Sequence, residues 1–426
     1  MSQATPVQGW SELLLALPEF TLVDAHVDVH DELIADVELP RDVQACPRCG
    51  LIEVHRVHDR RWHTVRHLPV AGRVTRLRWR KRLLACEAGC GTFVERTASI
   101  APGAVWSKAA ARMAVAMSAD NVPIDTIRKA FGVGWNTVMR AVVAAADKVV
   151  SVRTTRVGID ETVMVTGRLT TRRRQFLTAL VCLETSLVVA VTQGRDRAAA
   201  TRLLAEHAPD ADVVALDLFS GFKSAADTID GATVVADVFH LVRLALQALD
   251  EVRRRRQQQI HGHRGHKHDP LFRLRRILRV AQERLDEATL AKVFDRLCDA
   301  DPDDEVGAAW LAVDLLRRVY QAPDRDTAHR RLVAFYEWVA EVDVDELTRL
   351  ARTIDTWQDE ALAFFDTRAT NAATESANVK IKSIRRVARG FRNPGNYAAR
   401  IRLHAGQRRR LPTATRIRSY NLTAAA

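Results

Sequence analysis

VGIDETVMV (residues 157–165) and VVALDLFS (213–220) are apolar runs of strand length, each interrupted by one aspartate, Asp160 in the first and Asp217 in the second. A carboxylate buried among Val, Ile and Leu is costly unless it is paired, hydrogen-bonded or on a metal. The two acids therefore ask for a common reason. RQFLTALVCLE (174–184) and SLVVAVTQG (186–194) follow the first run as further strands, with turns between them. Next come a predicted helix over RDRAAATRLLAEHA (195–208), the second run, a helix from Gly221 to Ile229, the strand TVVADVF (233–239) and a long basic helix from His240 through Arg256.

Three strands followed by alternating helix and strand is the order of an RNase H-like α/β domain, in which the first and fourth strands lie side by side. That order brings Asp160 and Asp217 to one site. Hard oxygen ligands suit Mg²⁺, and paired metals activate water or a 3′ hydroxyl against a phosphodiester. Glu161 should point to the opposite strand face and is read as a bystander. A third ligand is expected from a helix returning to the sheet, within TRATNAATESANVKIKSIRRVARGFRN (367–393). Asn371 or Thr374 can cap this helix, on which Glu375, Asn378 or Val379, Lys382 and Arg386 recur at helical spacing. Such a face sets a metal-binding glutamate beside cations for a DNA backbone, and Arg389, Arg392 and Asn393 extend it. In isolation the segment reads more simply as a surface helix of mixed charge.

The chain has 426 residues, which predicts two to four domains. Its 64 Lys+Arg against 52 Asp+Glu give +12, favouring a polyanionic partner, although basicity also keeps a large protein soluble. No apolar run has the length of a membrane span, and Glu12 and Glu19 flank the short N-terminal Leu stretch without a basic leader. The expected location is the cytoplasm, with no membrane partner.

Four of the six cysteines form close pairs, Cys46/Cys49 in CPRCG and Cys86/Cys90 in CEAGCG. Two such knuckles suit one tetrahedral structural Zn²⁺. Cys182 and Cys298 read as small buried hydrophobes. The intervening HRVHDRRWHTVRHLPVAGRVTRLRWRKRLL (55–84) alternates basic and apolar residues, as a β-hairpin whose exposed face either lies along phosphates or is merely solvated. FTLVDAHVDVHDELIADVELP (20–40) predicts strands with Asp24, His26, Asp28, His30 and Asp31 on a solvated face.

WSKAAARMAVAMSAD (106–120), VPIDTIRKAFG (122–132) and WNTVMRAVVAAADKVV (135–150) have helical period, and the FGVGW turn has the short spacing of a helix-turn-helix. Trp135, Asn136, Thr137 and Arg140 then start a DNA-reading helix. A plain helical hairpin linking two domains is the alternative.

The chain between Asp217 and Glu375 is far longer than this fold needs and mostly helical in pattern, which predicts an α-helical insertion at about residues 250–365. Within it, Arg253 to Arg256 form a cationic run, and His261, His263, His266 and His268 invite a metal reading. Gly262 and Gly265 favour a mobile, DNA-contacting loop instead.

Taken in order, the two cysteine pairs, the helix-turn-helix, GIDE (158–161), LDLFSGF (216–222), VVADVFH (234–240) and TNAATESANVKIKSIRRVARGFRN (370–393) resemble the ISL-three group of insertion-sequence transposases, from about Leu22 to Leu403. The most specific motif, T-N-x-x-x-E-x-x-N-x-x-I-K-x-I-x-R-x-A-x-G, is matched throughout. The resemblance implies a bacterial DDE transposase with Asp160, Asp217 and Glu375 as its Mg²⁺- or Mn²⁺-binding triad. Asp237 and His240 match a further motif and are assigned a supporting role, with Asn378, Lys382 and Arg386. Its partners would be double-stranded DNA, as terminal inverted repeats and as target, and a homodimer or higher oligomer is expected on that DNA. A catalytically dead zinc-ribbon regulator is the alternative; the complete triad favours the enzyme.

The expected architecture is thus multidomain α/β. A zinc-binding β module (1–100) and a helix-turn-helix (101–152) precede an RNase H-like catalytic domain with its helical insertion (153–405) and a basic tail (406–426).

Overall fold

In the computed structural model, residue 15 and residues 17–40, 44–165, 175–263 and 265–406 are described. The basic tail therefore lies almost wholly outside them. The chain divides into two compact units, Met1–Val150 with Lys380–Ala426, and Ser151–Val379.

The first unit begins with a sheet in the order β1 (Thr21–Val27), β2 (Leu33–Glu38), β6 (Thr75–Ala85), β5 (Arg56–Arg66), with β7 (Thr92–Val94) also paired to β6. Strands β5 and β6 are the hairpin expected from the alternation, in antiparallel register with Trp62 opposite Arg80. One face buries Val37, Val65, Leu77 and Trp79 against Leu17 and Phe20. Several of the hairpin's arginines are held by carboxylates: Arg78 makes two 2.6 Å bonds to Asp36, and Arg82 donates to the buried Glu95. Two short strands, β3 (Gln44–Ala45) and β4 (Ile52–Glu53), bracket the first cysteine pair.

Three helices follow: α1 (Lys108–Ala119), α2 (Ile124–Phe131) and α3 (Trp135–Ala146). Ser107 caps α1 by accepting from the Ala110 amide. Gly132, at φ 60°, ends α2 in the left-handed conformation that glycine adopts most readily, and a Cβ there would clash with Val74. Their shared core of Trp106, Ile127, Phe131, Val138 and Val142 also takes in Ala399 and Leu403 from the last helix, α14 (Pro394–Ala405). The apolar residues of α14 thus complete the three-helix core.

The second unit is built on a sheet of β8 (Arg156–Val165), β9 (Gln175–Cys182), β10 (Val188–Gln193), β11 (Val213–Leu216) and β12 (Thr233–Ala236), ordered β10-β9-β8-β11-β12. The first three strands are antiparallel, and β11 runs parallel to both β8 and β12. Helices α4 (Arg197–His207) and α5 (Ser220–Ala226) connect the later strands, packing Leu203, Leu204 and Phe222 against Ile159, Val214 and Leu216.

A helical body follows: α6 (Val238–His261), α7 (Pro270–Leu274), α8 (Glu287–Ala300), α9 (Glu305–Tyr320), α10 (Arg325–Val342), α11 (Asp345–Thr356) and α12 (Gln358–Thr367). Its core contains Leu249, Val252, Trp310, Phe335 and Leu347. It starts earlier than the expected residue 250, because α6 runs unbroken from the end of β12. The cationic run on α6 is spent inside this body. Arg253 and Arg254 pair with Asp250, Arg255 with Glu305 and Glu346, and Arg256 with Asp301 and Asp303. Cys182 is buried as expected, but Cys298 is exposed, on the outer face of α8. Helix α13 (Ala372–Val387) leads from this unit back into the first.

Candidate active site and zinc centre

Ile159 pairs with Leu216 across parallel β8 and β11, so the next residues, Asp160 and Asp217, emerge side by side on one face. Both carboxylates receive an amide from the start of α13, Asn371 standing immediately before it and Asn378 in its first half. Asn371 Nδ2 donates to Asp217 Oδ1 at 2.8 Å, and Asn378 Nδ2 donates to Asp160 Oδ2. Asp160 Oδ1 also accepts from the Glu161 amide at 2.7 Å. Burial first, and the charge of Asp217 second, push the Asp160 carboxyl up to about 7.

Beyond β12, Asp237 caps α6 and accepts from His240 Nδ1 at 2.6 Å, while His240 Nε2 reaches Asp217 Oδ2 at 2.9 Å. Bonds to Asp217 and then Asp237 raise the imidazole to about 9, so it is held as a cation between two carboxylates. Ligand atoms of Asp217, Asp237 and His240 lie within 4.8 Å of one another. Side-by-side carboxylates, one pushed up by burial and then by its neighbour's charge, form a set of hard oxygen donors that His240 only partly neutralises. That chemistry fits a divalent cation such as Mg²⁺.

Glu375 is exposed on α13, one turn beyond Asn371, and its carboxylate is not among those clustered ligand atoms. Lys382 and Arg386 are exposed farther along the helix, while Asn378 is buried. Asn371, in sequence only a possible cap, bonds to Asp217 instead. The signal available was Asn371 and Asn378 seven residues apart, two turns along one helix face.

In the first unit Cys46, Cys49, Cys86 and Cys90 bring their sulfurs within 4.8 Å of one another, with Cys49 Sγ 3.7 Å from Cys86 Sγ. Backbone amides of Cys49 and Arg48 pull the Cys46 thiol down to about 6. Cys90 is pushed up to about 12, by the Cys49 sulfur and then by burial. Four thiols around one point, one readily ionised and another held back by its neighbours' negative charge, fit a cation that neutralises them together.

Trp135, Asn136 and Arg140 are exposed on the first turns of α3, with Thr137 half-buried beside them. Among the described residues no helix is long and apolar enough to cross a membrane.

The chain thus presents a strand-borne acid pair in its second unit and a four-cysteine cluster in its first. Residues 157–401 match the ISL3 DDE transposase family, more than half of the chain, and residues 42–90 match the zinc-finger of transposase IS204/IS1001/IS1096/IS1165. The chain belongs to the ISL3 family of insertion-sequence transposases. No protein with curated annotation matches it.

Proposed function

We propose that Asp160, Asp217 and Glu375 are the catalytic acids of this transposase, cutting the terminal inverted repeats of its own element and joining the 3′ hydroxyls to target DNA with Mg²⁺ or Mn²⁺. The observation that carries this reading is the meeting of Asp160, within β8, and Asp217, just past the end of β11, each taking an amide from the start of the segment that bears Glu375. We read the five-stranded sheet as RNase H-like, since its first and fourth strands are neighbours.

When bound, the divalent metal supplies charge neutralisation at the scissile phosphate and an activated attacking oxygen. The chain's own residues prepare for this. Asn371 and Asn378 fix one oxygen of each aspartate, Asp237 orients His240, and His240 holds the second oxygen of Asp217. Glu375 completes the ligand set from the rim, and Lys382 and Arg386 continue its helix as contacts for the DNA backbone. Helices α2 and α3 act as a helix-turn-helix, with Trp135, Asn136, Thr137 and Arg140 reading the repeat and the zinc ribbon supporting them. The enzyme works in the cytoplasm as a homodimer or higher oligomer on DNA.

Cleavage of a terminal-repeat duplex tests the acid assignment. Asp160→Asn, Asp217→Asn and Glu375→Gln should each lower the rate by about a thousandfold or more while leaving repeat binding intact. Glu161→Gln, a neighbour off the site face, should retain most activity. Wild-type cleavage by Glu375→Gln would move the third ligand elsewhere.

A further inference from the structure

The first unit contains a cavity of about 820 Å³, of whose lining the transposase reading uses only Trp135. This is within the size range of small-ligand sites, about 300–1,000 Å³. It opens between the start of α2, the start of α3 and the turn joining α13 to α14. Lys129, Trp135, Arg389, Phe391, Arg392 and Arg400 contribute to its wall.

Arg400 is fully buried, yet among the described residues no carboxylate pairs with it. Its two Nη atoms donate to neutral oxygens, the Val122 carbonyl at 3.1 Å and Asn121 Oδ1 at 3.2 Å, and its Nε has no partner. Burial alone lowers this guanidinium to about 10, so its charge is uncompensated. A fold retains such a group at a cost unless something else supplies the anion. Asp125 cannot do so, because it is already taken by Arg128 at 2.6 Å and Lys129 at 2.7 Å. Arg389 and Arg392 are exposed and, among the described residues, also lack a carboxylate partner.

The wall is aromatic as well as cationic. Trp135 is 42% exposed, and Phe391 stacks on Tyr397, whose hydroxyl is anchored to the Ile381 carbonyl. Free guanidinium groups beside available ring faces match a ligand that is anionic at one end and flat at the other. Helices α2 and α3 both begin here without a side-chain cap, leaving first-turn amides for an anion.

We propose that this cavity holds one unpaired nucleotide of a DNA strand, its phosphate on Arg389 and Arg392 with the charge of Arg400 in the wall, and its base stacked on Trp135. The proposal rests on the transposase reading for the identity of the polymer. It adds a single-strand site that shares Trp135 with the proposed duplex reader but not Asn136 or Arg140, neither of which lines the cavity.

Fluorescence anisotropy of the full chain with a labelled twelve-residue thymidine strand, without added Mg²⁺, tests it. Arg389→Ala with Arg392→Ala should weaken binding about tenfold and reduce the salt slope by about 0.7, the contribution of one single-strand phosphate. Trp135→Leu, which changes no charge, should weaken binding at least about fivefold, the scale of one base–aromatic stack, and should have no effect on an abasic strand of equal length. Thymidine monophosphate should compete with the strand where inorganic phosphate at the same concentration does not. Arg140→Ala should weaken duplex binding only.

The site is overturned if the arginine and tryptophan variants bind the strand within twofold of wild type, if the arginine variant loses duplex binding equally, or if inorganic phosphate competes as well as the nucleotide. All these variants alter exposed residues, so none depends on replacing Arg400. A wild-type chain that cleaves terminal-repeat DNA and fails here loses only this site; one that binds here and never cleaves loses only the catalytic assignment.

Discussion

Gly158 of β8 lies so close to Thr374 of α13 that a Cβ on the glycine would overlap the threonine Oγ1 and come within 3.2 Å of Asn371 Oδ1. The glycine is the recess that lets the helix settle on the strand two residues before Asp160. Its replacement by alanine should therefore act on both stability and the site.

Gly158→Ala is expected to destabilise the protein by about 1–3 kcal/mol, as overpacking does, and to reduce cleavage by shifting α13 away from the aspartates. Removing the obstructing hydroxyl should help, so Gly158→Ala with Thr374→Ala should recover part of the lost stability. Urea denaturation of Gly158→Ala, Thr374→Ala and the double variant checks this; additive losses would mean that the contact does not limit the approach of helix to strand.

Asn371 and Asn378 each hold one carboxylate by a single amide. Groups that orient metal ligands typically contribute 10- to 100-fold in affinity or activity. Asn371→Ala and Asn378→Ala should each lower cleavage on about that scale and raise the Mg²⁺ concentration needed for half-maximal rate. A fall in rate at unchanged Mg²⁺ requirement would assign the asparagines to helix packing alone.

Elemental analysis of the purified chain should find one zinc per molecule, absent when Cys46→Ser and Cys86→Ser are combined. Because the ligands bind as thiolates, acid should release the metal. Chelation should lower the melting temperature of the first unit and leave Cys182 and Cys298, which lie outside the knuckles, unaffected.

His67 is fully buried, bonded to Ser107 Oγ at 2.8 Å and to the Leu15 carbonyl at 2.5 Å, and burial depresses its pKa. The folded state thus resists a proton that the unfolded chain accepts near the ordinary value of about 6.5. Its contribution is complete above that pH and is lost as pH falls below it. Between pH 7.5 and 5.5 the wild type should lose more thermal stability than His67→Gln, which cannot titrate. Parallel losses would show that other groups set the acid sensitivity.

Much of this was readable from residue order. The strands around Asp160 and Asp217 announce themselves because apolar runs with one acid have few other uses, and the knuckle spacing of the four cysteines constrains them almost as strongly. What one-dimensional patterns hide is which distant segment a face meets. Asn371 looks like a cap until Asp217, on a strand 154 positions earlier, is seen to accept from it. The arginines of α6 look like a nucleic-acid surface, because charge runs do not reveal that Asp301, Glu305 and Glu346 fold back onto them. Ala399 and Leu403 carry no motif and give no hint that their helix completes a core begun at Trp106.

That last arrangement sets an order on biosynthesis. The core shared by α1, α2 and α3 lacks a wall until Ala399 and Leu403 emerge from the ribosome, on the order of 250 residues later. At about 5–20 residues per second, the wait is at least about ten seconds. All of the second unit is translated within that interval. The nascent chain therefore carries its proposed catalytic residues before its proposed DNA-reading helices are fully supported, and truncation ahead of α14 would leave those helices with an exposed apolar face.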